Sequence, residues 1–128
     1  MSPVAEVRPR AVAATVKLRK NIALMTEAEL TAYRNAVTAL QARNDNLGWQ
    51  YFAGWHGVPQ GWCQHHNSIF LPWHRSYLYH LELALQSVDA SVTIPWWDWM
   101  SDSTIPAAFD GAAAQNPLGV GNPIAPIG

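Results

Sequence analysis

Apolar residues recur at helical intervals in three stretches of this chain, separated by polar or Pro- and Gly-rich segments. The first stretch opens at Thr26-Glu27-Ala28-Glu29. There a threonine and a glutamate three residues later can each satisfy a free backbone N–H of a first helical turn. Leu30, Tyr33, Val37 and Leu40 follow at helical spacing, which predicts a helix over about 27–43 with one buried face. Asn44-Asp45-Asn46 breaks it. A second helix is predicted over about 46–56, with Leu47, Tyr51 and Trp55 on one stripe and Gly57 and Pro59 placed to stop it. The segment from Val58 to Leu71 reads as a loop carrying Pro59, Gly61, Cys63 and His65. A third helix is predicted to open at Pro72, whose missing N–H needs no partner in a first turn. It runs through Trp73, Tyr77, Leu81, Ala84 and Val88 to about Ser87.

Val92-Thr93-Ile94 is at most a short strand leading into Pro95-Trp96-Trp97-Asp98-Trp99. That tryptophan cluster reads as core, and Asp98 within it as buried and structural, so it needs a hydrogen-bonding partner. Beyond Ser101 the composition predicts an irregular covering loop. Residues 1–15 lack periodicity and read as a flexible leader, leaving 16–128 as one unit without an internal repeat. The sequence reaches Ile127-Gly128 in loop-like composition, so a piece of a longer unit is expected. The fold class is mainly α.

Composition narrows the function. Charged residues make up 13%, against roughly 25% in an average soluble domain. Such a surface is expected to be covered in part by something else. A net charge of −1 supplies no basic field, which argues against nucleic acid or an anionic membrane as partner. No apolar run approaches the ~20 residues needed to span a bilayer. The stretch Met1 to Ala14 is too short and mild for a secretory h-region, so the cytoplasm is the default expectation unless a partner carries the chain out. The single cysteine excludes an internal disulfide.

The chemistry concentrates in Cys63 to Arg75, thirteen residues holding three of the five histidines and the cysteine. His56 ends a predicted helix, His65 lies in the following loop, and His74 stands near the start of the next helix. Two helix ends and the loop between them can converge on one point. Apolar neighbours Trp55, Phe70 and Trp73 favour the neutral, metal-binding imidazole. An imidazole set suits copper, zinc, iron or nickel rather than magnesium or calcium. Spacing alone leaves His65 and His66 equivalent as ligands. His80, six residues past His74, faces away around an ideal helix.

His65, Phe70-Leu71-Pro72-Trp73-His74-Arg75, Tyr77-Leu78 and Glu82 through Ala84-Leu85 resemble the first copper-binding motif of tyrosinases, catechol oxidases and molluscan haemocyanins. The segment Gln86 to Trp99, ending in Pro-Trp-Trp-Asp-Trp, is similar to actinobacterial tyrosinases, and Asn116 to Pro123 adds weak support. The resemblance implies the N-terminal half of a tyrosinase-like helical bundle with long irregular loops. It selects His65 over His66, with His56 and His74 as the other copper ligands, and leaves His66 a bystander. It also implies that Cys63 is joined to His65 by a thioether, as in fungal tyrosinases and molluscan haemocyanins; an ordinary buried cysteine is the alternative. Glu82 and Arg75 are candidates to support the ligands from behind, with an ion pair between helix side chains as the alternative.

The activity this resemblance implies is oxidation of phenols or catechols to o-quinones with O2, at two coppers each held by three histidines. This chain has five histidines and none after His80. One copper is therefore expected on this chain. The second is expected on another polypeptide, a cleaved remainder or a separate subunit. A haemocyanin-like oxygen carrier, an o-aminophenol oxidase and a stand-alone mononuclear metal module are the competing expectations.

Overall fold

The computed structural model describes residues 16–57, 61–109 and 116–118. The expected leader over 1–15, Pro59, and the segment 119–123 of the Asn-Pro stretch lie outside the described residues. Three α-helices, α1 (Glu27–Gln41), α2 (Trp49–His56) and α3 (Phe70–Gln86), form the body, with 3-10 turns at Ile22–Leu24 and Ala107–Phe109.

The start of α1 is built as its sequence requires. Thr26 Oγ1 accepts from the Glu29 N–H at 3.2 Å, and Glu29 Oε2 accepts from the Thr26 N–H at 2.9 Å. The Lys20 ammonium, then the Thr26 N–H and the Thr26 hydroxyl, both donating to its carboxylate, hold the Glu29 carboxyl down to about 2. Leu30, Tyr33, Ala36, Val37 and Leu40 form the buried face, and the last four join the core that α1 shares with α2 and α3. Each fully buried aliphatic side chain there stabilises the fold by about 1.5–3 kcal/mol.

Helix α2 begins later than expected because residues 43–48 form a turn. Arg43 binds Asp45 through Nε and Nη2, and Asp45 Oδ1 accepts the Leu47 N–H. Gly48 closes this turn. A Cβ there would lie 2.3 Å from the Arg43 carbonyl oxygen, so only glycine fits. Of the expected stripe of Leu47, Tyr51 and Trp55, only Leu47 packs against the core. Phe52 is buried at 7% exposure, whereas Tyr51 and Trp55 remain 43% and 37% exposed. Phe52 points at the α1–α3 core, which leaves its neighbours along the helix to flank an open groove.

Helix α3 opens at Phe70, two residues before Pro72, because Asn67 makes the turn that precedes it. The Asn67 carbonyl accepts the Phe70 N–H, and its Oδ1 accepts the Ile69 N–H. Pro72 still lies among the first helical positions, where an N–H has no intrahelical partner. Ala84 and Leu85 are the buried residues of α3, and Val88 lies exposed beyond its end.

Val92-Thr93-Ile94 joins no ladder. The one β-type contact among the described residues is a parallel bridge between Asn21 and Trp96, carried by Ile22 N–H to Trp96 O and Trp96 N–H to Lys20 O. The tryptophan cluster is not core: Trp96 and Trp99 are 49% and 65% exposed. Their segment is held at the surface by backbone contacts, and the Trp96 and Trp97 indoles donate to the Arg19 and Asp102 carbonyls. Asp98 is half-buried rather than buried, and its carbonyl accepts from the Ser101 and Asp102 N–H groups. Farther on, Phe109 and Leu118 pack against the core, and Gln41 Nε2 donates to the Pro117 carbonyl. Among the described residues, no helix is long and apolar enough to cross a membrane.

Candidate metal centre

The end of α2, the loop after it and the first turns of α3 meet at one edge of the body. His56 is the last residue of α2, with the Tyr77 ring 5.5 Å and the Trp73 ring 6.3 Å away. Burial, then the neighbouring His74 and His65, lower its pKa and favour the neutral imidazole.

The loop is ordered by its own polar side chains. Gln64 Nε2 donates to the Trp62 carbonyl, Asn67 Nδ2 donates to Gln64 Oε1, and Asn67 then makes the turn into α3. Trp62 packs edge-to-face on Trp55 at 4.8 Å, which anchors the loop to α2. The backbone turns through the left-handed region at His66 (φ 57°), a conformation in which histidine is enriched among non-glycine residues.

His74 projects from the second turn of α3. Its Nδ1 lies 2.8 Å from the Phe70 carbonyl, which can only accept, so Nδ1 carries the proton and Nε2 keeps a lone pair. Cys63 Sγ lies 3.3 Å from that Nε2 and 2.9 Å from Nε2 of His65. One ligand atom from each of His56, Cys63, His65 and His74 lies within 4.8 Å of all the others. His66 and His80 are not in this group. His80 lines the groove between α2 and α3 instead.

The expected supporting pair is not formed. Glu82 Oε2 accepts from Arg19 Nε and from the Ile94 N–H, each at 2.8 Å, and touches neither a ligand imidazole nor Arg75. Its place on α3 turns it toward the segments 17–22 and 92–96. Burial raises the Glu82 pKa, but the bonds from Arg19 and Ile94 outweigh it and hold the carboxyl below its ordinary value. Arg75 is exposed.

Two neighbours of the centre have roles beyond those expected from sequence. The Phe70 ring lies 4.2 Å from the His74 ring and 5.7 Å from that of His65, and its carbonyl fixes the His74 tautomer. Phe70 stands four residues before His74, one helical turn away, a spacing that could have marked it. Tyr77 donates its hydroxyl to the Phe52 carbonyl at 3.1 Å and stacks on Trp73. Three imidazoles and a thiol, without a carboxylate, form a donor set for copper or zinc and not for magnesium or calcium.

Residues 46–123 match the common central domain of tyrosinase. The chain belongs to the tyrosinase family. This copper-using family includes both tyrosinases and haemocyanins. The tyrosinase of Streptomyces glaucescens is 59% identical to the chain over 45 residues, covering 35% of the chain and 16% of that protein. Hemocyanin 2 of Megathura crenulata is 37% identical over 97 residues, covering 68% of the chain and 3% of that protein. The structure of a functional unit from octopus haemocyanin superposes with a TM-score of 0.70 at 30% identity, covering 76% of the chain and 28% of that unit. The chain thus spans less than a third of each of these relatives. The tyrosinase-family fold is helical, as the sequence predicts.

Proposed function

We propose that this chain is the first-copper part of a tyrosinase-like oxidase, which converts phenols or catechols to o-quinones with O2. One observation carries the proposal: His56, Cys63, His65 and His74 present ligand atoms within 4.8 Å of one another, inside the matched domain. His56, His65 and His74 would hold one copper. Copper bound there supplies a one-electron redox couple and Lewis acidity toward oxygen.

The protein's own contribution is orientation and shielding. Phe70 fixes the His74 tautomer through its carbonyl, and Trp62 on Trp55 fixes the loop that carries His65. Phe70, Trp73 and Tyr77 pack beside the rings of His74 and His56 and shield one side of the centre, while His56 and His65 stay exposed on the other. Cys63 lies close enough to the His65 ring to form the thioether bond. That bond replaces S–H and a ring C–H by S–C, with two electrons and two protons passing to O2.

The second set of copper ligands comes, in this reading, from residues outside these 128, on a cleaved remainder or a separate subunit. The histidine count supports this, as does an open apolar groove of about 450 Å³ between α2 and α3, lined by Tyr51, Trp55, Trp73, Tyr77 and Leu83. The match to a Streptomyces tyrosinase favours an enzyme. The longer match to haemocyanins supports the second reading, reversible oxygen binding. The test is quinone formation and oxygen uptake from catechol by the native assembly containing this chain. Copper-dependent quinone formation is expected. Reversible oxygen binding without turnover would overturn the enzyme in favour of the carrier.

A further inference from the structure

We propose that Cys63, in the chain that carries no cross-link, is itself a metal ligand: with His56, His65 and His74 it forms a closed four-coordinate site for a single d10 cation, zinc(II) or copper(I). The proposal deepens the metal reading above but does not need oxidase activity.

Its basis is the position of the sulfur. Cys63 Sγ is 2.9 Å from His65 Nε2 and 3.3 Å from His74 Nε2. A tetrahedral ion with a sulfur at ~2.3 Å and nitrogens at ~2.0 Å would separate sulfur from nitrogen by roughly 3.5 Å. The edge to His74 is about 0.2 Å shorter than that value and the edge to His65 about 0.6 Å shorter, so the sulfur would draw back slightly from His65 on binding. His74 Nδ1 already carries a proton and gives it to the Phe70 carbonyl, so His74 Nε2 faces the sulfur with a lone pair. The thiol proton can serve that lone pair, and His65 Nε2 can meet the sulfur as donor or acceptor; a cation instead gathers all the converging ligand atoms as donors to itself. His56 adds the fourth atom, within 4.8 Å of the rest. On binding, the thiol proton leaves to solvent and the sulfur coordinates as thiolate.

A site filled by four protein ligands has no open position for oxygen, the hallmark of a structural rather than a catalytic metal. Conversion of the thiolate to a thioether leaves only a weak sulfur ligand, because a thioether is a poor donor. The same cysteine therefore distinguishes a closed, metal-holding state from an open one.

Cobalt(II) serves as the probe, added to the full chain prepared copper-free under reducing conditions, with intact mass confirming the free thiol. One cobalt per chain with an intense near-ultraviolet sulfur-to-cobalt band is expected. The band should be lost in Cys63→Ser and kept in His66→Ala. A second measurement needs no variant: one equivalent of zinc should slow alkylation of Cys63 in the wild-type chain. A band that persists in Cys63→Ser, or alkylation that zinc leaves unchanged, would overturn the sulfur ligand while leaving the three-histidine site standing. Failure of the wild-type chain to bind cobalt or zinc would overturn both.

Discussion

The Tyr77 hydroxyl donates to the Phe52 carbonyl at 3.1 Å, and this bond ties α3 to α2 beside the point where His74 and His56 meet. The Phe52 and Tyr77 rings also meet edge-on at 6.2 Å, so the contact is both polar and apolar. Burial, then nearby Cys63, raise the Tyr77 pKa, so the phenol keeps its proton at neutral pH.

Removing that hydroxyl should therefore loosen the two ligand-bearing helices without touching a ligand. Tyr77→Phe is expected to cost about 0.5–1.5 kcal/mol of stability. It should weaken copper binding while the wild-type stoichiometry is kept. Urea unfolding and a copper titration would check the two effects separately.

Glu82 joins α3 to two distant segments through Arg19 and Ile94, and Glu82→Gln should cost about 1–3 kcal/mol. The pH dependence follows from its lowered pKa. A carboxyl depressed on folding contributes stability that is full above its ordinary value of 4.5 and is lost as pH falls through the lower folded value. Thermal melts between neutral and acid pH should show this loss in the wild type and a smaller one in the variant.

Thr26→Ala should destabilise α1 by about 1 kcal/mol through loss of the cap. It should also let the Glu29 carboxyl rise part of the way from about 2 toward its ordinary value, since the Thr26 hydroxyl bond to Glu29 Oε2 is lost while Lys20 and the backbone N–H of residue 26 still hold it down. An NMR titration of Glu29 would measure that rise directly.

The thioether would leave its mark on the mass. Native chain isolated with its copper should lack two hydrogen atoms relative to the sequence, and a tandem-mass fragment should place the link between Cys63 and His65. A native chain at full sequence mass would contradict the cross-link.

Much of this was legible because it is local. The Thr26–Glu29 cap, the buried stripe of α1 and the histidines at two helix ends depend on residues close in sequence. Other features rest on distant partners and could not be read that way. Glu82 finds Arg19, 63 residues away, rather than its neighbour Arg75. Phe52, not Tyr51 or Trp55, faces the core, because helical spacing gives the width of an apolar face but not which edge of it the other helices cover. The tryptophans at 96 and 99 are large and apolar, yet no described element packs over them. The early start of α3 was hidden in the Asn67 turn, where side-chain hydrogen bonds rather than proline set the boundary.

The most direct test of the central claim is copper bound per chain across single histidine replacements, with copper(I) loaded anaerobically and quantified by mass spectrometry. The structure predicts one copper per chain in the wild type and in His66→Ala and His80→Ala. It predicts marked loss in His56→Ala, His65→Ala and His74→Ala. Full copper in His65→Ala together with loss in His66→Ala would contradict it.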